Sequence, residues 1–411
     1  MHVLYFHPNF PAQFGPIAGY VSRRPDWKVS YVSHTGPASI PGFQRFHYEP
    51  RGGATEQTHY CSRSFENAIW HSHAVYEILR AQPDFKPDLI VGHSGFGTTF
   101  FLRELFDCPI INYFEYFYHT KNSDMDFRPE FPVSEIDKLR ARARNAAILL
   151  DLENCDAGIC PTHWQRDRFP AAFHPKIHTI FDGIDTQFWS DKPHGESSSR
   201  AGLRQIGDLV IPEDRRLVTY VARGMESIRG FDLFMKFAKL LYQRRADVHF
   251  VVVGQDRICY GGDDKFTGGK SFKEWVLGQD SYDLSRFSFL GNIAPNLLAK
   301  LFSITDLHVY WTVPFVLSWS LLNALSCGAV VLASDTPPVR EVIQHEKNGL
   351  LVDFFDIEKW AVRADKVLSD LPSFRPVGVA GRKTVLRHYS YEVCFPKLVQ
   401  LYEHVARHHG L

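Results

Sequence analysis

The chain has 411 residues, long enough that a single core ordinarily divides, so two domains are expected. Its 46 basic and 46 acidic side chains cancel, which removes any global steering towards nucleic acid or an anionic membrane surface. With 45% hydrophobic and 22% charged residues the make-up is that of a globular protein. No run of about 18 apolar residues suggests a membrane span. The start "MHVLYFHPNF" does not read as a signal peptide.

In chain order, "HVLYF" (2–6) is an apolar run that exits into "HPNFPAQFG", a strand-to-loop step of the kind α/β folds place at a ligand crevice. "WKVSYVS" (27–33) reads as a second strand, 63–81 as a helix and "PDLIVGH" (87–93) as a third strand. "HSGFGTTFFLREL" reads as a Gly-rich turn entering a helix. "CPIINYFEYF" is a strand, "EIDKLRARARNAAILLDLENC" a long helix, and "AGICPT" and "KIHTIFDGID" are further strands. This alternation predicts a mainly parallel, doubly wound sheet. Between Phe188 and Arg216 the pattern lapses into "WSDKPHGESSSRAG" and "IPEDRR", the expected linker.

The alternation then restarts. Strands "RLVTYVARG" (ending at Ala222), "VHFVVVG", "RFSFLG" and "LHVYW" interleave with helices "GFDLFMKFAKLLYQRR" and "NLLAKLFSIT". "NGLLVDF" follows, and helical patterns at "IEKWAVRADKVLSDL" and "YEVCFPKLVQLYEHVARHH" finish the chain. The whole reads as two Rossmann-like α/β halves with terminal helices.

Several stretches could carry chemistry. In "PFVLSWSLLNALSCG", Leu317, Leu321, Leu322 and Leu325 fall at helical spacing, so a helix begins near Ser318 or Trp319. The amide groups at such an end favour a phosphate, although a capping serine ahead of a core helix has the same sequence. In "YVARGMESIRGFDLF", Arg223 and Arg229 flank a short loop after a strand; they are either phosphate ligands or solvated arginines. "INYFEYFYHTKNSD" puts Glu115 among five aromatics with His119 close by. Desolvation there would raise its carboxyl pKa; a Glu paired with a neighbouring Arg is the alternative. "FDGID" (181–185) is a turn with acids at both ends, and "HSGFGTT" lacks the spacing of a nucleotide fingerprint, which leaves it to shape an acceptor site.

Seven scattered cysteines, an odd number, read as reduced thiols in a cytoplasmic protein, and Cys155 with Cys160 lacks the second pair a zinc set needs.

In their order and spacing, "IFDGID", "VARGMESIRGF", "VVVGQDR", "FLGN", "LHVYWTVPFVLSWSLLNALSCGAVVLASD", "VREVI" and "NGLLVDFFD" resemble the retaining family 4 glycosyltransferases of GT-B fold. The phrasing is closest to a bacterial branch with "PFVLSWSLLEA"-like segments. The resemblance is dense over 177–356 and weaker but collinear from the first residue.

It implies two Rossmann-like domains facing a deep cleft: an acceptor-binding domain (1–188), a nucleotide-sugar-binding domain (189–385), and a last helix (386–411) returning to the first. It implies Glu115, Arg223 and Arg229 as catalytic residues. The donor would be held by Gly15, Gly254, Leu317, Ser318, Trp319, Ser320 and Asn323, and His93, His119, Asp182 and Asp185 would lie on the acceptor side. Two glutamates eight residues apart in the family are here Phe315 and Asn323, and many members have His where Glu115 falls.

The implied activity is transfer of a sugar from a nucleoside-diphosphate sugar to an acceptor hydroxyl, with retention and without a metal or other cofactor. Its setting would be polysaccharide or glycolipid assembly. The acceptor is a carbohydrate, a lipid-linked molecule or a protein. Nucleic acid is not a partner, and peripheral contact with the inner membrane face fits a lipid-linked acceptor. A non-catalytic scaffold of the same fold, binding nucleotide or a partner, and a nucleotide-sugar epimerase are the alternatives.

Overall fold

The computed structural model describes residues 1–37, 40–190, 203–212 and 214–409. The chain divides into two compact units. The first holds 1–125, 133–183 and 392–411, and the second holds 126–132 and 184–391. The boundary thus falls at Gly183 rather than at 188, and a short excursion after Met125 also belongs to the second unit.

The first unit is built on seven strands: β1 (His2–Phe6), β2 (Lys28–Ser33), β3 (Gln44–His47), β4 (Leu89–His93), β5 (Ile110–Tyr113), β6 (Ala157–Cys160) and β7 (Ile177–Thr179). They pair in parallel in the order β3-β2-β1-β4-β5-β6-β7. Every residue of β4, β5 and β6 is buried, as continuous apolar runs covered on both faces must be. Helix Arg63–Arg80 forms where the 63–81 pattern indicates. Helix Glu135–Asn154 starts at Ser134, whose hydroxyl accepts from the Asp137 amide. "HSGFGTTFFLREL" does not enter an α-helix: it turns at Gly95 (φ +87°) and reaches only a short 3-10 turn, Leu102–Glu104. Helix Tyr391–His408 packs on the same unit through Tyr402 against Tyr5 and Phe395 against Tyr20.

The second unit carries a small antiparallel hairpin, β8 (Leu203–Ile206) and β9 (Leu209–Pro212), turned at Gly207. Its main sheet has β10 (Arg216–Gly224), β11 (Val248–Gln255), β12 (Phe287–Gly291), β13 (Leu307–Tyr310), β14 (Val331–Ser334) and β15 (Leu350–Val352). All pair in parallel in the order β12-β11-β10-β13-β14-β15. Part of the expected linker is therefore structured. Ile206 and Ile211 are buried, and Arg204 pairs with Asp306 at 2.6 Å; residues 191–202 lie outside the described residues.

Helix Phe231–Arg244 covers this sheet with Phe231, Phe234, Phe237, Ala238 and Leu241, all buried on one stripe. At about 1.5–3 kcal/mol for each large side chain removed from water, that stripe is a main source of the unit's stability. Helix Leu371–His388 has no counterpart in the sequence reading, because Pro372, Pro376, Gly378 and Gly381 punctuate it. The glycines are there for contact: a Cβ at Gly378 would sit 2.3 Å from the Gly328 carbonyl, and one at Gly381 would sit 2.7 Å from Leu325.

Both strand orders reverse direction beside their first strand, between β1 and β4 and between β10 and β13. Such switch points open a crevice at the carboxyl ends of the strands, where α/β proteins hold ligands.

Candidate active site

In the second unit the segment leaving β10 at its switch point is the turn Glu226–Gly230. β10 itself runs two residues past Ala222, with a register shift against β11 between Val221 and Gly224. That irregularity explains Gly254: it has φ +152°, and a Cβ there would lie 2.5 Å from the Ala222 carbonyl. The structure gives Gly254 this backbone task. Gly230 closes the turn at φ +61° with Trp311 directly behind it, 2.5 Å from where a Cβ would stand.

Buried acids fix the turn. One carboxylate oxygen of Glu226 accepts from the amides of Cys259, Tyr260 and Gly261 at 3.0, 2.9 and 3.0 Å. Asp263 accepts from the Ser227 amide at 2.7 Å and from its hydroxyl at 2.6 Å. Two chain segments far apart in sequence are thereby clamped together, and Tyr260 stands beside both arginines. The Arg229 guanidinium lies 5.4 Å from the Tyr260 ring centre and 5.9 Å from that of Phe315, and the two rings are 5.6 Å apart. Exposed Arg223 reaches the Tyr260 hydroxyl at 3.4 Å.

Arg229 is only 6% exposed, and its guanidinium donates to the neutral Thr312 hydroxyl at 2.8 Å. Among the described residues no carboxylate lies within ion-pair distance of it. A buried cation without a counter-ion is costly unless an anion joins it.

The helix expected near Ser318 runs Trp319–Ser326, with the Ser318 hydroxyl as its cap. Two of the four amide groups assigned to the donor already have acceptors. Ser318 N–H donates to the Tyr310 hydroxyl at 3.0 Å and Ser320 N–H to the Ser318 hydroxyl at 3.2 Å. Leu317 is buried and Trp319 is exposed. One turn into the helix, Asn323 is 9% exposed, and its side-chain oxygen has no hydrogen-bond partner.

In the first unit, His7 follows β1 and His93 ends β4, so both stand at that unit's switch point. Their rings meet edge to face at 5.3 Å, with the exposed ring of Phe96 5.7 Å from His7 and 5.0 Å from His93. Burial pushes His93 down to about 3 and His7 to about 4, so both imidazoles are neutral. His7 Nδ1 accepts from the Asn9 amide at 3.0 Å. His93 Nδ1 lies 2.9 Å from the Ser94 carbonyl, and His93 Nε2 has no partner. The Tyr113 hydroxyl donates to Asp182 at 3.1 Å.

Glu115 is half-buried, and its carbonyl accepts from the Gln165 amide at 2.6 Å. Burial raises the carboxyl pKa of Asp124 and of Asp151 in this unit. His119 Nε2 lies 2.7 Å from the Arg168 carbonyl, a local contact, and Gly15 opens helix Gly15–Val21 against Pro11. Asp185 belongs to the second unit, separate from Asp182. It caps a turn there, accepting from the amides of Gln187 and Phe188 at 3.1 and 2.9 Å. In the first unit, His34, His47 and Glu49 stand together with one Glu49 oxygen near each imidazole, at 3.1 and 3.2 Å.

The sequence reading missed Glu226, Tyr260, Asp263, Thr312 and His7. Glu226 and His7 lie inside quoted motifs, where an acid before "SIRG" and a His at a strand exit were the available signals. Nothing local announces that Tyr260 folds back beside Arg223.

Residues 25–189 match the model of the glycosyl transferase family 4 group, and residues 204–384 match that of glycosyl transferases group 1. The chain is 23% identical over 265 residues to alpha-maltose-1-phosphate synthase of Mycolicibacterium smegmatis, a match covering 62% of this chain and 65% of that protein. The fold is similar to that of sucrose-phosphate synthase from Thermosynechococcus elongatus, with TM-score 0.70, 18% identity and 98% of each chain covered. It is also similar to HepE of Anabaena in complex with UDP and glucose, with TM-score 0.66, 15% identity, and 98% of this chain and 100% of that one covered. With both halves matched and the two parallel sheets in place, the chain belongs to the glycosyltransferases of GT-B fold.

Proposed function

We propose that the chain moves a sugar from a nucleoside-diphosphate sugar to an acceptor hydroxyl, with retention of anomeric configuration and without a metal. The observation that carries this reading is Arg229, a buried guanidinium facing aromatic rings with no carboxylate partner among the described residues. A diphosphate supplies the missing charge. Arg223 is the second, exposed cation beside it, and the helix starting at Trp319 adds the positive end of its dipole.

These fixed charges meet the negative charge that develops on the leaving diphosphate as its bond to the anomeric carbon breaks. The acceptor oxygen bonds to that carbon, and its proton passes to the departing phosphate oxygen. Asn323, with an orphan buried oxygen, suits a hydroxyl donor such as ribose. In the first unit Glu115 is the group offered to the reacting sugar, and the neutral His7–His93 pair to the acceptor. HepE holds UDP and glucose in its structure, which supports a nucleotide sugar as the donor here. Polysaccharide or glycolipid assembly is the setting.

Screening transfer across nucleotide sugars in excess chelator, with mass-spectrometric readout, tests the proposal. One donor should yield a product, and Arg229→Ala should lose about tenfold or more of the activity, since a charge-assisted contact contributes about 1.5–3 kcal/mol. Turnover that needs added magnesium or manganese, or an Arg229→Ala variant with wild-type turnover, would count against it.

A further inference from the structure

Residues 126–132 belong to the second unit although the chain on either side belongs to the first. The segment is anchored there by aromatic contacts. Phe127 packs on Phe354 and Phe355 with ring centres 5.0 and 5.3 Å away, and Phe131 packs on Phe266, Phe272 and Trp275. Between these anchors stands Arg128, 4% exposed, its guanidinium 4.9 Å from the Phe131 ring and 5.3 Å from the Phe354 ring.

Unlike Arg229, Arg128 is fully matched. It grips both oxygens of Asp232 at 3.2 and 2.7 Å, and its Nε reaches Glu130 at 3.3 Å. The nitrogen on the 3.2 Å contact also donates to the Ser227 carbonyl at 2.9 Å. Ser227 is the residue that Asp263 holds by its amide and hydroxyl. Two residues on comes Arg229, whose carbonyl accepts from the Tyr220 hydroxyl at 2.8 Å. Asp232 follows Gly230 in the first turn of helix Phe231–Arg244. A planar guanidinium therefore joins the carbonyl two residues before Arg229 to the carboxylate three residues after it: one nitrogen bridges the two acceptors and the other holds the second carboxylate oxygen.

We propose that Arg128 is a positioning residue for Arg229: it sets the Ser227–Gly230 turn so that the unpaired guanidinium is aimed before any anion arrives. This rests on Arg229 being a diphosphate ligand. Without Arg128, Asp232 loses its buried counter-charge and the Ser227 carbonyl keeps only the Gly230 amide at 2.8 Å; the turn relaxes, and part of the binding energy goes into ordering it again. Lysine at 128 keeps the charge but gives up the two-nitrogen grip on the Asp232 carboxylate.

The test measures inorganic pyrophosphate binding to the full chain by calorimetry, well below each variant's melting temperature. Pyrophosphate is chosen because it needs no knowledge of the base. Arg128→Lys should weaken binding about fivefold and Arg128→Met about tenfold or more. Adding Arg128→Lys to Arg229→Ala should cost nothing beyond Arg229→Ala alone, because Arg128 acts through Arg229. A purely structural role would move the melting temperature but not this coupling. If Arg229→Ala binds pyrophosphate like the wild type, the diphosphate reading fails. If Arg229→Ala weakens binding while Arg128→Lys leaves it unchanged, or if the two losses simply add, the positioning role is refuted. Should Arg128→Met not fold, Arg128→Lys alone decides.

Discussion

Replacing Asn323 by glutamate separates the cost of a buried charge from its use. The side chain is 9% exposed and its oxygen has no partner, so a carboxylate there is poorly solvated in the empty protein. Burial raises such a carboxyl's pKa above its unfolded value, so the variant's stability matches the wild type best at low pH. The deficit opens as pH rises through the unfolded pKa and levels off above the folded one. Near neutral pH we expect a loss of about 1–3 kcal/mol. With a nucleoside diphosphate bound, the same carboxylate accepts the ribose hydroxyls through charged hydrogen bonds, against one neutral acceptor in Asn323. That difference is about 0.7–1.4 kcal/mol, or roughly three- to tenfold in affinity. Calorimetric titration with the diphosphate that binds the wild type best measures it directly, and the gain should vanish with the 2′,3′-dideoxy analogue. Asn323→Glu binding more weakly than wild type, or gaining equally with the dideoxy compound, would show that this oxygen does not face the ribose.

Gly378→Ala should destabilise the second unit by about 1–3 kcal/mol or more in denaturant titration, because the new methyl meets the Gly328 carbonyl at 2.3 Å. Asp151 accepts from the Thr99 amide at 3.2 Å, but its other oxygen is unmatched and burial lifts its pKa to about 7. Its contribution to stability is therefore full below the unfolded pKa and is lost as pH rises to about 7. Asp151→Asn should flatten the pH dependence of unfolding between pH 4 and about 7, and a profile of unchanged slope would refute this. Glu115→Gln should lower kcat while leaving nucleoside-diphosphate affinity within about twofold; loss of acceptor affinity with unchanged kcat would make Glu115 an acceptor contact instead.

What the sequence disclosed followed periodicity. Continuous apolar runs such as "LIVGH" and "VHFVVVG" became central strands, and leucines spaced around Ser318 placed a helix whose observed start is Trp319. What stayed hidden depended on partners distant in the chain. Helix Leu371–His388 is written in residues that break helices, and its glycines make sense only against Gly328 and Leu325. The hairpin at 203–212 is two four-residue strands between polar flanks, too short to stand out from a linker, and nothing local shows that Asp185 accepts from the amides of Gln187 and Phe188. At the site, "RGMESIRG" announced its two arginines. It could not announce that Glu226 would gather three amides from residues 259–261, nor that Arg128 would come from a segment 99 residues away.

Behind the arginine turn lies a pair of indoles, Trp311 and Trp360, stacked 3.7 Å apart with their planes 12° from parallel. Each is tied by its ring N–H to a backbone carbonyl, that of Phe354 at 3.0 Å and that of Asp353 at 2.9 Å. Two indoles held that close couple their strong far-ultraviolet transitions, which gives a dichroism couplet that separated tryptophans lack. Gly230 presses against the Trp311 edge, so any shift of the turn that carries Arg229 is transmitted to one member of the pair. The second unit thus carries an intrinsic optical gauge of its own anion site, readable without label or ligand chemistry.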